Sequence, residues 1–297
     1  MEGCPPVSYS MRDKKEFHII INEEIPAGLK AVSILSERTD LSQQRIKAAM
    51  KKGAIWIEDD KGIRRLRRAD TVPPHDSTIH FYYAPDVLDT IPPTPTLISD
   101  KKEYSIWFKP PDMLSQGSKW GDHCTINRWI ETNMPFDHHP QRNCFVVHRL
   151  DKAARGLMMI AHKKNVAAKL SGLFEGRKID KRYHVVIEGA FPTGEQEIKT
   201  EIDGKFAHSI ARSIEYSEKK NRSLVEVQIK TGRKHQIRIH MSGMGFPVVG
   251  DRLHGIASTQ GNLKEALQLC AYSLDYVCPV SNQAEKVTLP QEFCLKI

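Results

Sequence analysis

The sequence predicts an α+β fold in two parts: a larger domain built on a mixed, largely antiparallel β-sheet with flanking helices, and a small N-terminal α/β module. Three observations predict it. Strand-like alternation recurs through the second half of the chain, while few segments carry a helical period. A length of 297 residues suggests roughly two domains. An aperiodic stretch carrying Pro85, Pro92, Pro93 and Pro95 separates the two periodic regions. The expected division is a module over 1–86, a linker over 87–100 and a larger domain over 101–297.

The elements follow in order. Leu29, Val32 and Leu35 stand at helical spacing within Ala27–Glu37. Thr39, Asp40 and Ser42 offer N-cap chemistry for a second helix, Gln43–Lys52, whose stripe is Ile46, Ala49 and Met50; Gly53 is placed to end it. Ala54–Glu58 reads as a strand, Asp59-Asp60-Lys61-Gly62 as a turn and Thr78–Tyr83 as a second strand. Beyond the linker, Glu103–Lys109 alternates and runs into Pro110-Pro111. Cys144–Leu150 is a strand ending at Asp151, and Gly156–Ala161 is a buried strand. Val166, Ala167, Leu170 and Leu173 share a helix face in Asn165–Phe174. Arg182–Glu188 and Leu224–Ile229 are strands, and His235–Ser242 is a helix stopped at Gly243 or Gly245.

Composition narrows the function classes. The net charge is +8 and the pI about 9.1, which favours a polyanionic partner. Between Arg45 and Arg68 there are nine Lys/Arg against three acidic residues, so Arg45, Lys52, Arg64, Arg65, Arg67 and Arg68 are expected to form a phosphate-tracking face. No apolar run approaches the ~18 residues a membrane span needs. Met1–Lys15 has no apolar core of signal-peptide type, so a cytosolic location is expected. None of the six cysteines forms a Cys-x-x-Cys pair; reduced, mostly buried thiols are expected. His235 and His240 lie five residues apart with no accompanying carboxylate pattern, so no metal is expected.

The chemistry-bearing residues come from separate segments. Val147-His148-Arg149-Leu150-Asp151-Lys152 places a carboxylate at a strand end. Lys181-Arg182-Tyr183 places an aromatic ring on a strand. Thr231-Gly232-Arg233-Lys234-His235-Gln236-Ile237-Arg238 opens a helix with basic residues. Together they supply a carboxylate that can attack, a ring that can stack on a base and a guanidinium that can hold carboxylate and phosphate. Taken singly, each has a plainer reading: a turn Asp, a sheet Tyr, a surface Arg. His148 and His240 are expected to be structural.

Four blocks in order resemble the RluA/RluD-type pseudouridine synthases over most of Lys101–Ile297. They are Phe108–Leu114, His148–Asp151, Lys181–Gly189, and Thr231–Met241 followed by Gly245–Asp251. The resemblance implies isomerisation of uridine in structured RNA, a reaction without net redox or hydrolysis that needs no nicotinamide, metal or nucleotide cofactor. It assigns Asp151 as the essential carboxylate, by attack at C1′, addition at C6 or abstraction of a sugar proton. It implies that Tyr183 stacks on the base and that Arg238 pairs with Asp151, orients it and keeps it ionised. The base must be flipped out of folded RNA, and Arg149 is expected to prop the vacated space. Lys109, Arg155, Arg233 and His235 are further expected RNA contacts. Two departures stand out: Ala154-Arg155 replace the usual Thr-Ser before Gly156, and His254 stands where a Tyr often follows Gly-Asp.

Leu41–Lys47 and Lys51–Ile57 resemble the αL RNA-binding module of a small-subunit ribosomal protein and of tyrosyl-tRNA synthetases. Gln43 stands where Arg is usual, and Glu58-Asp59 where Asn-Gly is usual. The appended module implies ribosomal RNA as first partner and tRNA as second, for a monomer without membrane association. Two other classes compete with the isomerase: a catalytically weak or inactive RNA-binding or ribosome-assembly protein on the same scaffold, and a glycosidic-bond hydrolase. The intact Asp151, Tyr183 and Arg238 weigh against the former, and the four-block match against the latter.

Overall fold

Alternation of apolar and polar residues along short strands, closed on one side by two helices, builds the first of two units. The computed structural model describes residues 14–133, 136, 142–255 and 265–297; Cys4 and most of the segment Met1–Lys15 lie outside them. The first unit comprises Met1–Pro92 together with Gln116–Arg128, and the second Pro93–Ser115 together with Trp129–Ile297.

The first unit runs β1 (Lys15–Ile20), α1 (Ala31–Thr39), α2 (Gln43–Lys51), β2 (Ile55–Asp59), β3 (Gly62–Arg65), β4 (Thr78–Tyr83) and a short α3 (Pro85–Leu88). Its antiparallel sheet has the order β1-β4-β2-β3. Ile55, Ile57, Ile79 and Phe81 bury one face against Val32 and Leu35 of α1 and Ile46 and Met50 of α2. Helix α1 starts four residues later than its pattern suggests, after Pro26 and a Gly28 at φ 83°. Ser42 caps α2 by accepting from the Arg45 amide at 3.3 Å, and Gly53, at φ 77°, closes it with its amide on the Met50 carbonyl at 3.0 Å.

The second unit runs β5 (Thr96–Asp100), β6 (Tyr104–Lys109), β7 (Phe145–Val146), β8 (Arg155–Ala161), α5 (Lys164–Glu175), β9 (Asp180–Glu188), β10 (Glu195–Ile202), β11 (Lys205–Ser217), β12 (Arg222–Ile229), α6 (Gln236–Gly243), β13 (Leu269–Val277) and β14 (Ala284–Thr288); α4 (Ile126–Asn133) precedes β7. The ten-stranded sheet has the order β10-β11-β12-β9-β13-β8-β6-β5, with β14 on β13 and β7 on β8. The β13–β8 pair is parallel and the other pairs are antiparallel, so the sheet is mixed and largely antiparallel. One apolar cluster packs Leu157 and Met159 of β8 against Val166 and Leu170 of α5; another packs Val185 and Val227 against Ile237 and Met241 of α6.

Two expected boundaries are corrected. Thr96–Asp100, assigned to the linker 87–100, is strand β5, hydrogen-bonded to β6. Gln116–Arg128, assigned to the larger domain, belongs to the first unit. There the Asp122 carboxylate takes the Arg65 guanidinium at 3.1 Å and also Arg67, and the Ser118 carbonyl accepts from Arg65 at 2.9 Å. The strand expected over Cys144–Leu150 shortens to β7, because His148–Asp151 leaves the sheet to form the site described below. Among the described residues, no helix is long and apolar enough to cross a membrane.

The parallel β8–β13 contact depends on one glycine. Gly156 sits at φ 123°, and a Cβ there would lie 2.3 Å from the Ala271 carbonyl oxygen and 2.4 Å from its nitrogen. Two backbones this close leave no room for a methyl, and the left-handed φ adds strain. Gly156→Ala should therefore cost roughly 3 kcal/mol of unfolding free energy, measurable as a fall in the urea midpoint. A midpoint equal to wild type would contradict the close approach.

Candidate active site

Asp151 stands in a tight loop clamped on both sides. Before it, Leu150 donates its amide to the Ser115 hydroxyl at 3.0 Å, and that hydroxyl donates to the Leu150 carbonyl at 2.7 Å. After it, the Lys152 carbonyl accepts from the Asp112 amide at 2.9 Å and from Lys109 Nζ at 3.2 Å. The loop's upstream end is pinned by His148, whose Nε2 accepts the Met159 amide at 2.9 Å and whose ring stacks on Phe174 at 4.1 Å. Burial, with Lys181 nearby, pushes the His148 imidazole down to about 3, so it remains neutral and structural. His240 is structural too: its ring nitrogens meet Ser209 at 2.9 Å and Thr200 at 3.0 Å.

Arg238 reaches Asp151 from the opposite side. Its helix is positioned by Gln236, which is 3% exposed. The Gln236 side-chain oxygen accepts from the Thr231 hydroxyl at 2.7 Å and the Arg233 amide at 3.0 Å. Its nitrogen donates to the His208 carbonyl at 3.0 Å and the Ser209 hydroxyl at 2.9 Å. This folds the Thr231–His235 loop, in which His235 takes φ 55°, so that α6 opens beside Asp151. Arg238, only 5% exposed, donates Nε and Nη2 to the Asp251 carboxylate at 2.7 and 2.5 Å, and Nη1 to Asp151 Oδ2 at 3.3 Å. Asp251 also accepts the Leu253 and His254 amides at 2.9 and 3.1 Å. Burial opposes its charge, but Arg238 and these two donors outweigh burial and hold its carboxyl below the ordinary range. Burial likewise opposes the Arg238 charge, and the two carboxylates outweigh it, raising the guanidinium further.

The remaining groups complete a compact site. The Asp151 side chain is 29% exposed, so it is held without being sealed. His235 Nε2 lies 3.7 Å from Asp151 and its Nδ1 lies 3.0 Å from His254 Nε2. Burial first, then Arg238, His254 and Lys234, lower the His235 imidazole against the opposing pull of Asp151; at neutral pH it is an uncharged neighbour, not an ion-pair partner. Tyr183 is half-buried on β9, opposite Val227 and Ala271. Burial, then the Asp151 charge, then Cys270, push its phenol well above the usual tyrosine range, so it is a neutral ring at physiological pH. Arg238 and His235 thus both meet Asp151, and Tyr183 lies near enough for the Asp151 charge to act on its phenol.

The expected RNA contacts divide. Arg149 is exposed and has no ion pair or hydrogen bond among the described residues. Arg155 donates Nη2 to Gln268 at 2.9 Å, and Arg233 donates Nε to the Phe206 carbonyl at 2.9 Å. Lys109 is a correction: it is 0% exposed, with its ammonium on the carbonyls of Pro110, Met113 and Lys152 at 3.0, 2.9 and 3.2 Å. It fastens the 109–114 segment to the Asp151 loop and cannot reach a phosphate. In the first unit, Arg64 pairs with Asp59 at 2.5 Å, and Arg65 and Arg67 with Asp122, so these three do not form an open phosphate-tracking row as expected. Arg68 and Arg45 are exposed, Arg45 donating to the Tyr83 hydroxyl at 3.0 Å, and Lys52 donates to the Leu88 carbonyl. Asp251, Gln236 and Ser115 were not anticipated; the Gly250-Asp251 pair closing the fourth block was the available signal for Asp251.

Comparison with known proteins places the chain in a family. The family model described as RNA pseudouridylate synthase matches residues 103–243. An uncharacterized RNA pseudouridine synthase of Aquifex aeolicus is 27% identical over 82% of this chain and 84% of its own length. A tRNA pseudouridine synthase C of Vibrio vulnificus is 30% identical over 48% of this chain and 70% of its own. The structure of human RNA pseudouridylate synthase domain containing 1, 21% identical, shares the fold with a TM-score of 0.57 over 69% of this chain and 87% of that one. The family match and these relatives define an RNA-modifying isomerase class. The chain belongs to the RNA pseudouridine synthases, in their RluA/RluD-type branch.

Two measurements test the site's construction. Burial pushes the Lys109 ammonium down to about 7, against the opposing pull of Asp112 and Asp151. The folded value lies below the lysine value of about 10.4, so between about pH 7 and 10 the unfolded chain holds a proton that the folded one has shed. The stability of wild type relative to Lys109→Met should then rise with pH across that window and stay flat below it. Urea midpoints from about pH 6 to 10 check this, and a difference that falls with pH would contradict it. Separately, Asp251→Asn leaves Arg238 short of a buried counter-charge and should cost about 3 kcal/mol. A loss below about 1 kcal/mol would mean the pair is solvent-screened.

Proposed function

We propose that this protein converts uridine to pseudouridine in structured RNA, with Asp151 as the essential carboxylate, Tyr183 stacking on the target base and Arg238 orienting Asp151. The carrying observation is the buried Arg238 fork, tied to Asp251 by two N–H groups and presenting a third to the partly open Asp151. In the reaction the bond from ribose C1′ to N1 breaks and one from C1′ to C5 forms; the C5 proton leaves and N1 gains a proton. Nothing is oxidised or hydrolysed, so no metal, nucleotide or redox cofactor is required.

The target base has to leave its stack to reach a carboxylate held in a protein loop. Arg149, exposed and without a partner among the described residues, is suited to fill the gap. Arg155 and Arg233, each with guanidinium N–H groups beyond its one hydrogen bond to Gln268 or to the Phe206 carbonyl, are kept as RNA contacts, and His235 stands beside Asp151. Arg45, Lys52 and Arg68 are the N-terminal cations kept in this reading as RNA contacts, on a module that resembles the αL fold. Ribosomal RNA is the proposed first substrate, because that module is appended to the catalytic unit. A tRNA substrate is the second reading, favoured by the likeness to the tRNA pseudouridine synthase C of Vibrio vulnificus. The reading is of a cytosolic enzyme that acts as a monomer.

Asp151→Asn keeps the side chain's shape and removes its charge. Pseudouridine formation in cellular RNA fractions should fall to background while RNA affinity stays within about tenfold, roughly 1.4 kcal/mol. Arg238→Lys keeps the charge but loses the planar fork and should also lose most turnover in a folded protein. Near-normal turnover by Asp151→Asn would overturn the assignment.

A further inference from the structure

The first unit has a second sheet face that its helices do not cover. Strand alternation turns Phe17, Ile19, Ile55, Ile57, Ile79 and Phe81 toward α1 and α2. Their sequence neighbours therefore point the other way. Register places His18 opposite His80, His80 opposite Trp56, and Trp56 opposite Arg65, a row that crosses β1, β4, β2 and β3. Tyr82 extends it along β4, its ring parallel to His80 at 6.4 Å and 13°, and Trp120 meets Tyr82 edge-on at 5.8 Å. Beside this row, Ile20 and Ile63 are 63% and 57% exposed.

Cations are interleaved with these rings. The Arg65 guanidinium lies 4.1 Å from the Trp56 ring centre, Lys119 Nζ lies 4.7 Å from Tyr82 and 5.1 Å from Trp120, and Lys14 Nζ lies 5.3 Å from Trp120. The indole N–H of Trp56 donates to the Lys119 carbonyl at 3.1 Å, tying the 118–121 turn to the row. Two acids share the face: Glu16 meets Lys119 at 2.6 Å and His18 at 3.9 Å, and Glu58 meets His80 at 2.9 Å. They pair with Lys119 and with the His18 and His80 imidazoles within the ring row.

We infer that this sheet face is a stacking platform for unpaired bases of single-stranded RNA, with Trp120 and Tyr82 as the stacking rings and Lys14 on the phosphates. Successive flat rings with cations between them take bases without regard to sequence, because every base has a π face. A paired duplex offers its backbone but hides its base faces, so the platform selects unpaired strands. The net charge of +8 complements a polyanion. The inference rests on the reading of the chain as acting on RNA, but its residues are separate from Asp151, Tyr183 and Arg238.

The test uses the full chain, a labelled oligouridylate of about ten nucleotides and a hairpin duplex of the same length, followed by anisotropy and tryptophan fluorescence. The Tyr82→Ala/Trp120→Ala double variant should bind the oligouridylate about 100-fold more weakly, about tenfold per ring, with duplex affinity nearly unchanged. The ring-keeping Tyr82→Phe/Trp120→Phe variant should bind within about threefold of wild type. Should ring removal unfold the first unit, quenching decides: the fluorescence loss on binding should shrink in Trp120→Phe, and an unchanged quench overturns the platform. Equal single-strand affinity in the double-alanine variant, or an equal loss on duplex, also overturns it. A wild-type chain that binds the oligouridylate through these rings but isomerises no uridine would sink the catalytic reading and leave the platform standing. A chain that isomerises uridine while the double variant binds unchanged would do the reverse.

Discussion

A buried guanidinium must have its N–H groups satisfied and its charge answered, or it does not stay buried. Arg238 meets that demand with two carboxylates from two loops, and much of the second unit is arranged around the result. Asp251 takes the face of the fork that points into the protein and is itself steadied by two backbone amides. Asp151 receives the edge that points toward solvent. The two roles are unequal. The Asp251 contact is short, bidentate and closed off, whereas the Asp151 contact is single and longer, which leaves that carboxylate oriented and open to a substrate.

The supporting loops are made of backbone more than of charge. Lys109, the last residue of β6, and Ser115, in the segment after it, grip the residues on either side of Asp151, and Gln236 folds the turn before α6 with four hydrogen bonds. Lys109 shows how burial converts a surface residue type into an internal one. Its ammonium trades water for three carbonyl oxygens, and the loss of solvation brings its titration down toward neutrality. His235, lowered in the same sense, adds a polar but uncharged wall beside Asp151. The departure at Ala154-Arg155 is accommodated without disturbing the trio: Ala154 is buried, and Arg155 turns to Gln268.

Much of this was legible in the sequence where local chemistry decides local shape. Thr78–Tyr83 alternates cleanly and is strand β4 over the same residues, and the Ser42 cap and Gly53 stop bound α2 within a residue. The Asp151, Tyr183 and Arg238 segments were recognisable because each carries its motif intact. Less legible were elements whose reason is non-local. The β10–β11 ribbon went unread because its outward positions are charged, although Asp203-Gly204, at φ 49° and 69°, is a hairpin turn signal. Strand β13 carries a nearly continuous apolar run because it lies inside the sheet, a pattern that does not separate strand from helix. The ion pairs of Arg65 and Arg67 with Asp122 join residues more than fifty positions apart, which no run of arginines can reveal. The burial of Lys109 is hidden for the same reason.

The central claim is that this carboxylate site remakes uridine in RNA. Its most direct test is nucleotide-resolution pseudouridine mapping of total RNA from cells with the gene, without it, and with it restored. The account predicts that specific pseudouridines, ribosomal ones first, vanish on deletion and return on restoration. An unchanged pseudouridine map across the three would contradict it.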